Sequence, residues 1–423
     1  MNHILNLKCL ICGEEYSPDE VEYVCPKHGN EGILDVRYDY ELIGQNFSRN
    51  QLRQSQDDTI WRYKPLLPVN PAAPVPPLKV GWTPLYETPR LAAGLGLKHV
   101  WIKDDGRQPT ASFKDRASAV AVVKAQEKGV EIVTTASTGN AAAALSGLSA
   151  SVRQANVIFV PESAPPAKIA QLLVFGSTVL LVKGTYDDAF ELCLEAAAEY
   201  GWYNRNTAYN PYMTEGKKTA SYEICEQLNW QAPDVIFVSV GDGCIIGGLH
   251  KGLKDLLALG WIEQMPRLIG VQAEGSSFMF QAWESGEDVL TKAPIDAQTV
   301  ADSISAGLPR DRLKAMAAVK ETDGAYISVT DEEILAAIPA MARGSGVFGE
   351  PAGATAYAGL VKAVDKGLVL ASDRIVVLNT GNGLKDIASA MKSVDLVGTQ
   401  AYRVAPDIDD LRRVMAEEVG KRE

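Results

Sequence analysis

The sequence predicts an α/β protein whose parallel β-sheets are flanked by helices. From Trp82 onwards, short apolar runs rich in β-branched residues alternate with stretches of helical character, which is the pattern of strands joined by helical crossovers. Several of the apolar runs end in loops of glycine and small polar residues, as expected where ligands bind at the carboxyl ends of parallel strands. The chain of 423 residues is 46% hydrophobic and 22% charged, which is ample for a large core.

The alternation also predicts individual elements. Helices are predicted at 113–128, 187–200 and 217–228. Because helical crossovers separate successive strands, neighbouring strands are expected to run parallel. The predicted strands lie at 99–103, 130–134, 155–160, 178–182, 235–240, 268–273 and 375–378.

Residues 1–40 carry four side chains with the spacing of a zinc-ribbon-like module. Cys9-x-x-Cys12 is followed by Cys25-x-x-His28, and three thiolates with one imidazole form a tetrahedral zinc site in such modules. Four ligands from the protein close the coordination sphere, so the predicted role is structural. The alternatives are a redox-active cysteine pair and a ribbon that binds no metal.

Residues 41–80 are predicted to connect this module to the α/β core. The stretch 38–63 has the polar character of a short helix. The stretch 65–77 has the sequence Pro-Leu-Leu-Pro-Val-Asn-Pro-Ala-Ala-Pro-Val-Pro-Pro, which is too rich in proline for a helix or a central strand. We therefore expect an extended linker along the surface.

Lys114 is the strongest candidate for a catalytic residue. It lies in the run 109–116, Pro-Thr-Ala-Ser-Phe-Lys-Asp-Arg, at the start of the predicted helix 113–128. A lysine after serine and phenylalanine at a helix start is placed to carry a cofactor covalently, whereas most lysines are surface charges. Three other segments supply the partners that such a cofactor requires.

A loop of small residues, the small-residue loop, follows the predicted strand 131–133 and leads into an alanine-rich helix at 141–145. N–H groups in the first turn of a helix have no intrahelical partner, and the helix dipole favours an anion there. The loop is therefore a candidate site for a substrate carboxylate. The alternative is helix capping, which needs only one serine or threonine. The candidate substrate-binding residues are Ser137, Thr138, Gly139, Asn140 and Ala141.

A second loop, the glycine loop, lies between the predicted strand 234–240 and a helix predicted at 247–253. Glycines let the backbone approach a phosphate, and N–H groups at the helix start bind its charge. Dinucleotide-binding folds share this pattern, and the strand 268–274 ends in an acid that would hold a ribose. An NAD enzyme is thus an alternative, although it leaves Lys114 without a role. The candidate phosphate-binding residues are Gly241, Asp242, Gly243, Cys244 and Ile245.

Three further segments complete the set of motifs. The segment 379–386 has the sequence Asn-Thr-Gly-Asn-Gly-Leu-Lys-Asp after a predicted strand. The segment 350–354 is Glu-Pro-Ala-Gly-Ala, and 210–219 is Asn-Pro-Tyr-Met-Thr-Glu-Gly-Lys-Lys-Thr. Together with the run around Lys114 and the two loops, these segments resemble the threonine synthase-like members of the β-family of pyridoxal-phosphate (PLP) enzymes. The resemblance runs in order from about Trp82 to the end of the last segment.

The resemblance implies fold type II, the fold of the tryptophan synthase β-subunit, with two parallel-sheet domains. It implies a large PLP domain made of residues 81–116 and 230–423. The smaller α/β domain, residues 117–229, is inserted between these two parts. By analogy with the family, we also expect a homodimer.

The resemblance also implies the roles of individual residues. Lys114 would carry the PLP and would remove the Cα proton of the substrate. Asn140 would face the 3′ oxygen of the cofactor, the glycine loop would hold its phosphate, and Glu350 would face the cofactor. The hydroxyl of Thr380 would meet the pyridine nitrogen, and the small-residue loop would hold the substrate carboxylate.

The implied activity is that of a PLP-dependent lyase, with threonine synthase as the first expectation. That enzyme converts O-phosphohomoserine and water to threonine and phosphate. The alternatives within the family are a threonine or serine dehydratase or another ammonia-lyase, and cysteate synthase, which uses O-phosphoserine and sulfite. A cofactor-binding regulator whose zinc module recruits a partner is the alternative outside enzymology.

Two segments depart from the family pattern. The glycine loop has Gly-Asp-Gly-Cys-Ile where many threonine synthases have Gly-Asn-Ala/Leu-Gly-Asn, so Asp242 is expected to turn away from a bound phosphate. The segment 302–309 replaces a sequence of the Arg-Ile-Gly-Asn-Pro type, and no arginine marks the site of a substrate phosphate. The basic residues considered for that site are Lys168, Lys217, Arg205 and Arg153.

Composition excludes several other classes of protein. A net charge of −12 and a pI near 5.0 argue against nucleic acid as a partner. The sequence contains no apolar run long enough to span a membrane and no secretory signal pattern at its start. We expect a cytoplasmic protein that acts on a small amino-acid substrate.

Overall fold

Three β-sheets organise the chain in the structure, a computed structural model that describes residues 3–419. One is a small antiparallel sheet near the N-terminus, and two are larger sheets whose strands alternate with helices. The strands are β1 Ile4–Cys9, β2 Glu15–Tyr16, β3 Leu34–Tyr38, β4 Leu85–Glu87, β5 His99–Asp104, β6 Ile132–Ala136, β7 Ala155–Pro161, β8 Thr178–Val182, β9 Tyr203–Asn204, β10 Val235–Ser239, β11 Arg267–Ala273, β12 Ala325–Val329 and β13 Arg374–Asn379.

Helices separate most of the strands in the two larger sheets. None of those in residues 3–419 combines the length and the apolar character of a bilayer span. The α-helices are α1 Tyr40–Asn46, α2 Arg49–Gln54, α3 Pro89–Gly94, α4 Lys114–Glu127, α5 Asn140–Ser151, α6 Pro166–Val174, α7 Tyr186–Tyr200, α8 Tyr212–Lys217, α9 Thr219–Gln227, α10 Cys244–Ala258, α11 Phe278–Ser285, α12 Arg312–Glu321, α13 Asp331–Ser345, α14 Pro351–Asp365, α15 Ile387–Leu396 and α16 Ile408–Val414.

The two larger sheets are essentially parallel. The first has six strands in the order β12-β11-β10-β13-β5-β4, and only the edge strand β4 is antiparallel to its neighbour. The second has four strands in the order β8-β7-β6-β9, all parallel. The predicted fold class, with parallel sheets and helical crossovers, is therefore confirmed.

The last strand in the sequence, β13, lies in the middle of the six-stranded sheet. It pairs with β10 on one side and with β5 on the other. All residues of β10 are buried, because helices cover both faces of the sheet, and such strands are continuous apolar runs. The carboxyl ends of β5, β13 and β10 therefore lie side by side, and the loops that follow them meet there.

Some local predictions were wrong in detail. The helix predicted at 217–228 is two helices, α8 and α9, on either side of Lys218. The stretch 38–63 forms α1, α2 and the start of a 3₁₀ segment, Ile60–Leu66, rather than one helix. Capping explains the last case, because Asp39 and Ser48 each begin a separate short helix.

The predicted surface course of the linker 65–77 is wrong for its first part. Leu66, Leu67 and Val69 have no exposed surface and belong to the main hydrophobic core. Prolines prevent regular backbone hydrogen bonding, but they do not prevent apolar neighbours from being buried. Most of the remaining linker residues are exposed or half-buried, as expected.

The N-terminal module packs directly on the α/β core. The hydroxyl of Tyr38 at the end of β3 donates a hydrogen bond to Glu215 Oε2 on α8 at 2.6 Å, and both side chains are buried. Ile33 packs with Ala208 and with Cys244, the first residue of α10. The module therefore touches the core at the point where the glycine loop enters its helix.

Candidate active site

A cavity lies at the carboxyl ends of β5, β6, β10 and β13. It is lined by every residue that the sequence predicted to hold a cofactor, namely Lys114, Asn140, the glycine loop, Glu350 and Thr380. Of the other lining residues, Phe113 adjoins Lys114, and Ser239 and Ala352 lie two residues from Gly241 and Glu350, so proximity in the sequence was the available signal for these three. The lining residues that the sequence analysis missed are Phe113, Ser239, Ser303, Ile304 and Ala352.

Lys114 is the first residue of α4 and is half-buried in the wall of the cavity. Backbone hydrogen bonds tie the segment before it to the loop after β13. Phe113 N–H donates to the carbonyl of Thr380 at 2.9 Å, and Asn382 N–H donates to the carbonyl of Ala111 at 3.0 Å. Ala111 has a φ of 64°, a left-handed conformation that costs free energy in a non-glycine residue. These contacts fix the point at which the Lys114 side chain enters the cavity.

A buried ion network anchors the start of α4. Arg116 pairs with Asp105 at 2.6 Å and also with Glu223, and Lys103 pairs with the same Glu223 at 2.6 Å. Burial alone raises the pKa of Glu223, but the charges of Arg116 and Lys103 lower it to about 2, so this carboxylate is ionised at neutral pH. The sequence analysis did not identify this network, because its members come from distant segments.

The glycine loop joins β10 to α10 and borders the cavity. Gly243 has a φ of 87° and precedes Cys244, so α10 begins earlier than the predicted 247–253. A Cβ on Gly241 would lie 2.7 Å from the Cα of Ile304, so only glycine fits there. The N–H groups in the first turn of α10 have no intrahelical acceptor, which makes this loop suited to an anion.

Asp242 is the acidic residue of the glycine loop. Its side chain is exposed and accepts a hydrogen bond from the backbone N–H of Arg310 at 3.4 Å. Its carbonyl oxygen accepts a second bond, from the N–H of Asp311, at 2.9 Å. The first bond holds the carboxylate against a neighbouring segment, which agrees with the expectation that Asp242 turns away from a bound phosphate.

Glu350 precedes α14 and is buried beside the cavity. The side-chain amide of Asn140 donates to Glu350 Oε1 at 2.7 Å, and a Cβ on Gly381 would lie 2.3 Å from the same oxygen. Burial raises the pKa of Glu350 to about 7, although the charge of Lys385 and the bond from Asn140 act in the opposite direction. This carboxyl group therefore exchanges its proton near neutral pH.

Thr380 is buried at the end of β13. The residue before it, Asn379, donates from its side-chain amide to Asp104 Oδ1 at 2.8 Å. This bond joins the carboxyl ends of β13 and β5. It therefore helps to hold Thr380 and the Lys114 segment in one place.

The small-residue loop leads into α5 next to the cavity. Ser137 Oγ accepts a hydrogen bond from Gly139 N–H at 3.2 Å, and residues 137–139 are half-buried. Of the predicted set 137–141, Asn140 is the member among the lining residues of the described cavity. The binding of a carboxylate by the rest of the loop stays a prediction.

The four basic residues considered for a substrate phosphate lie in different surroundings. Arg205 and Lys217 are buried, with exposed fractions of 1% and 0%. Lys168 forms an ion pair with Asp302, and Arg153 is exposed. Arg205 and Lys217 are therefore shielded from solvent, and within residues 3–419 they form no ion pair.

Cys9, Cys12, Cys25 and His28 form the predicted cluster, and their ligand atoms all lie within 4.8 Å of one another. The Sγ atoms of Cys12 and Cys25 are 3.9 Å apart, and Cys25 Sγ is 3.5 Å from His28 Nδ1. The corners of a zinc tetrahedron with these ligands lie about 3.5–3.8 Å apart, so the four donors fit zinc. The hydroxyl of Tyr16, at 3.2 Å from Cys25 Sγ, orients that ligand.

A sequence profile of the family described as pyridoxal-phosphate dependent enzyme matches residues 77–381 of the chain. This match includes every residue that lines the cavity. The chain belongs to the pyridoxal-phosphate-dependent enzymes. Its cofactor is therefore PLP, and the resemblance inferred from the motifs is confirmed for the family.

Threonine synthases are among the proteins whose sequences are similar to this PLP enzyme, and the similarity extends over nearly the whole chain. The threonine synthase of Methanocaldococcus jannaschii is 37% identical over 97% of the chain and 99% of the relative. That of Methanosarcina acetivorans is 40% identical over 90% of the chain and 92% of the relative. The resemblance to the threonine synthase-like members of the family is thus confirmed as well.

Solved structures of PLP enzymes share the fold. The processed form of threonine deaminase isoform 2 from Solanum lycopersicum superposes with a TM-score of 0.64 at 24% identity, covering 75% of this chain and 88% of the other. Maize serine racemase superposes with a TM-score of 0.61 at 20% identity, covering 74% and 93%. At these identities the likeness concerns the fold alone, and it confirms fold type II.

The residues around the cavity fit PLP. The Lys114 amine is available to the aldehyde of the cofactor, and the glycine loop with the start of α10 offers unpaired N–H groups to its phosphate. At Gly241 the loop passes close to the backbone of Ile304. A side chain at this position would collide with Ile304, so the loop needs glycine here. The chemistry of the donors thus agrees with the family.

Proposed function

We propose that the chain is a threonine synthase, which converts O-phosphohomoserine and water to threonine and phosphate. The observation that carries the proposal is the likeness to threonine synthases, at 37% identity over 97% of the chain and 40% identity over 90%. At 97% coverage the alignment must include most of the N-terminal module. The proposal therefore concerns the whole chain rather than the PLP cavity alone.

In this proposal the cavity residues hold the cofactor and transfer protons at the Cα and Cβ atoms of the substrate. Bound PLP supplies an electron sink at the Cα of the substrate. Lys114 would hold the cofactor through its amine until the amine of the substrate displaces it, and the freed amine would then accept the proton that leaves Cα. The glycine loop binds the cofactor phosphate, and the small-residue loop binds the substrate carboxylate and orients the Cα–H bond.

Thr380, Glu350 and Asn140 determine the charge around the cofactor ring. The hydroxyl of Thr380 is neutral, so it cannot keep a proton on the pyridine nitrogen as a carboxylate would. Glu350 would face the bound cofactor and Asn140 would face its 3′ oxygen. The side-chain amide of Asn140 donates to Glu350 at 2.7 Å. The pKa of Glu350, raised by burial to about 7, allows this group to donate as well as accept a hydrogen bond.

The decisive experiment mixes the purified holoenzyme with O-phosphohomoserine and follows phosphate and threonine together. We expect both products at equal rates, and none with Lys114→Ala as the matched control. O-Phosphoserine with sulfite, serine and threonine are offered separately under the same conditions. Phosphate-free turnover of serine or threonine, or use of O-phosphoserine with sulfite but not of O-phosphohomoserine, would refute threonine synthase in favour of a dehydratase or of cysteate synthase.

We also propose that the cluster of Cys9, Cys12, Cys25 and His28 holds a structural zinc ion. The ligand spacing and the distances of 3.5–3.9 Å between donor atoms support this assignment. Elemental analysis of the purified protein is expected to give one zinc per chain. Zinc-free protein with unchanged thermal stability would contradict it.

The assembly of the chain is a further part of the proposal. We infer a homodimer, and a group of apolar side chains around α15 that are more than half exposed supports it. Sedimentation analysis is expected to give twice the mass of one chain, and a monomer would contradict the inference. These exposed side chains are Leu384, Ile387, Met391 and Leu396.

The domain division and the compartment are likewise proposals. The strands β6 to β9 lie inside the range 117–229, which supports the inserted domain between the two parts of the large one. Cys193, Cys225 and Cys244 are buried without a disulfide, which is usual in the reducing cytoplasm. Limited proteolysis tests the division, since cleavage within 41–80 is expected before cleavage inside either sheet.

A further inference from the structure

Two buried cations near the glycine loop have no carboxylate partner. Arg205 is 1% exposed and Lys217 is 0% exposed. Within residues 3–419 neither side chain forms an ion pair, and Nη2 of Arg205 has no hydrogen-bond partner. Burying a cation without a counter-charge is costly. Such a pair in an enzyme is therefore arranged to bind an anion.

Neutral hydroxyl groups hold both cations in position. Nη1 of Arg205 donates to Thr207 Oγ1 at 3.2 Å, and Nζ of Lys217 donates to the same oxygen at 3.4 Å. Nε of Arg205 donates to Ser118 Oγ at 3.2 Å. These hydroxyls orient the charges without neutralising them. Burial lowers the pKa of Lys217 to about 8, and the positive charges of Lys114 and Arg205 act in the same direction. Lys217 therefore lies close to other cations.

The segment 205–208 connects the two loops that were predicted to bind anions. Oδ1 of Asn206 accepts a hydrogen bond from the N–H of Ala136 at 3.0 Å, immediately before the small-residue loop. Ala208 packs on Cys244 in the glycine loop. The backbone segment that carries Arg205 therefore contacts both the strand end before the small-residue loop and the start of α10.

Lys217 packs against α10. A Cβ on Gly248 would be 2.7 Å from the Cβ of Lys217, so the lysine packs closely on the second turn of that helix. The neighbouring buried cation, Lys314, differs because it has a carboxylate partner, Asp311, at 3.8 Å. Lys168 is paired as well, with Asp302. Among these four cations, Arg205 and Lys217 are therefore the two that form no ion pair within residues 3–419.

We propose that Arg205 and Lys217, joined through Thr207, bind the phosphate of a phosphorylated amino-acid substrate. This inference rests on the proposed function, in which phosphate leaves from Cγ. When the Cβ proton is lost, its bonding electrons form a Cβ–Cγ double bond. The C–O bond at Cγ breaks, both of its electrons go to the departing phosphate, and the two cations stabilise that charge. The cofactor phosphate is bound separately, by the N–H groups at the start of α10.

The test compares the holoenzymes of Arg205→Gln and Lys217→Gln with the wild type. We expect kcat/KM for O-phosphohomoserine to fall about 100-fold in each, because a charge–charge contact in a buried site is lost. Inhibition by inorganic phosphate is expected to weaken in parallel. The dissociation constant of PLP and the visible spectrum stay unchanged. Arg153→Gln is the matched control, since this exposed arginine is expected to leave every one of these quantities unaltered.

Two results would overturn the inference. One is a loss of PLP affinity in both variants together with unchanged inhibition by inorganic phosphate. The two cations would then bind the phosphate of the cofactor and not that of the substrate. The other is an unchanged kcat/KM for O-phosphohomoserine in both. If Arg205→Gln does not fold, the results for Lys217→Gln decide by the same criteria.

A failure of the proposed function is recognised separately. Wild-type holoenzyme that releases no phosphate from O-phosphohomoserine refutes threonine synthase but leaves the anion site open to calorimetry with inorganic phosphate. Binding to the wild type that weakens in both variants supports the site. Binding that is absent, or equal in all three proteins, overturns it.

Discussion

Glu350 shows how strongly the fold changes the chemistry of a single side chain. A glutamate in an unfolded chain is ionised at neutral pH, whereas burial raises the pKa of Glu350 to about 7. The hydrogen bond from Asn140 opposes this shift without cancelling it. A protonated Glu350 can donate a hydrogen bond inside the cavity, which a carboxylate cannot.

We expect the stability of the PLP-free protein to depend on this proton. The folded pKa of Glu350 lies above the ordinary value of 4.5, so the contribution is fully present below about pH 4.5 and is lost as the pH rises through about 7. The loss in the free energy of unfolding is at most about 3 kcal/mol. Urea unfolding of wild type and Glu350→Gln from about pH 5 to about pH 8 measures it. Parallel curves for the two proteins would show that the shift is absent.

In the proposed mechanism, the reaction depends most directly on Lys114. Lys114→Ala is expected to bind PLP without a covalent link and to lose activity by about 10⁴-fold, because both the attachment point and the base are removed. Borohydride reduction followed by mass spectrometry detects the link in the wild type. Lys128→Ala, an exposed lysine just after the same helix, serves as the control. Unimpaired turnover by the Lys114 variant is incompatible with the proposed mechanism.

At the scale of single elements, the junction of β10 and α10 places the anion-binding groups. Gly243 adopts a left-handed conformation, and the helix begins at the next residue. The first turn therefore starts only a few residues beyond Ser239, the last residue of β10. Had the helix begun at Gly247 as predicted, its N–H groups would lie farther along the chain from the strand end.

Gly241→Ala is expected to weaken PLP binding about 10- to 100-fold, because overpacking against the backbone of Ile304 displaces the glycine loop. Fluorescence titration of the PLP-free protein measures the dissociation constant. Gly94→Ala is the control, since a Cβ there meets nothing within 4 Å. Equal PLP affinities in both variants would mean that the loop can move without cost.

Motifs that are local in the sequence were predictable, and contacts between distant segments were not. Lys114 was found from the run 109–116 at the start of a predicted helix, and Thr380 from the small polar residues that follow an apolar run. The pairing of Arg116 with Glu223 required the fold. Arg205 could be named as a basic residue, but no sequence pattern indicates that its Nη2 is buried without a partner.

The same contrast between local patterns and contacts of distant segments applies to the prediction of strands. The alternation of apolar and helical stretches predicted the parallel strands of both sheets, because buried strands are continuous apolar runs. It missed the edge strand β4, which has three residues, the strand β9, which has two, and the strand β12. The order of strands within a sheet depends on packing between distant segments, and the sequence of one chain does not contain a local signal for it.

At the scale of the whole molecule, the N-terminal module and the PLP cavity are coupled through α10. Lys251 on this helix donates to the carbonyl of Val36 in β3 at 2.6 Å. Ile33 packs on Cys244 at the start of the same helix. The fold of the module and the position of the glycine loop therefore depend on each other.

Removal of the proposed zinc ion is expected to weaken PLP binding, because the N-terminal module contacts α10 and the glycine loop. Chelation, or Cys12→Ser, should lower the thermal midpoint and raise the dissociation constant of PLP about tenfold, because metal binding contributes to folding of the module. Calorimetry and PLP titration measure the two effects. Restored affinity after zinc is added back is the control. Unaltered PLP binding by the chelated protein would show that the module and the cavity are independent.

The central place of β13 sets the order in which the protein can be assembled during translation. The strands β5 and β10 are joined through β13, so they cannot complete their sheet until residues 374–379 have left the ribosome. The strands β6 to β9 occupy one continuous stretch and can pair earlier. Capture of the cofactor is thus among the last events of synthesis. A nascent chain that stops before β13 keeps the smaller sheet but cannot build the cavity.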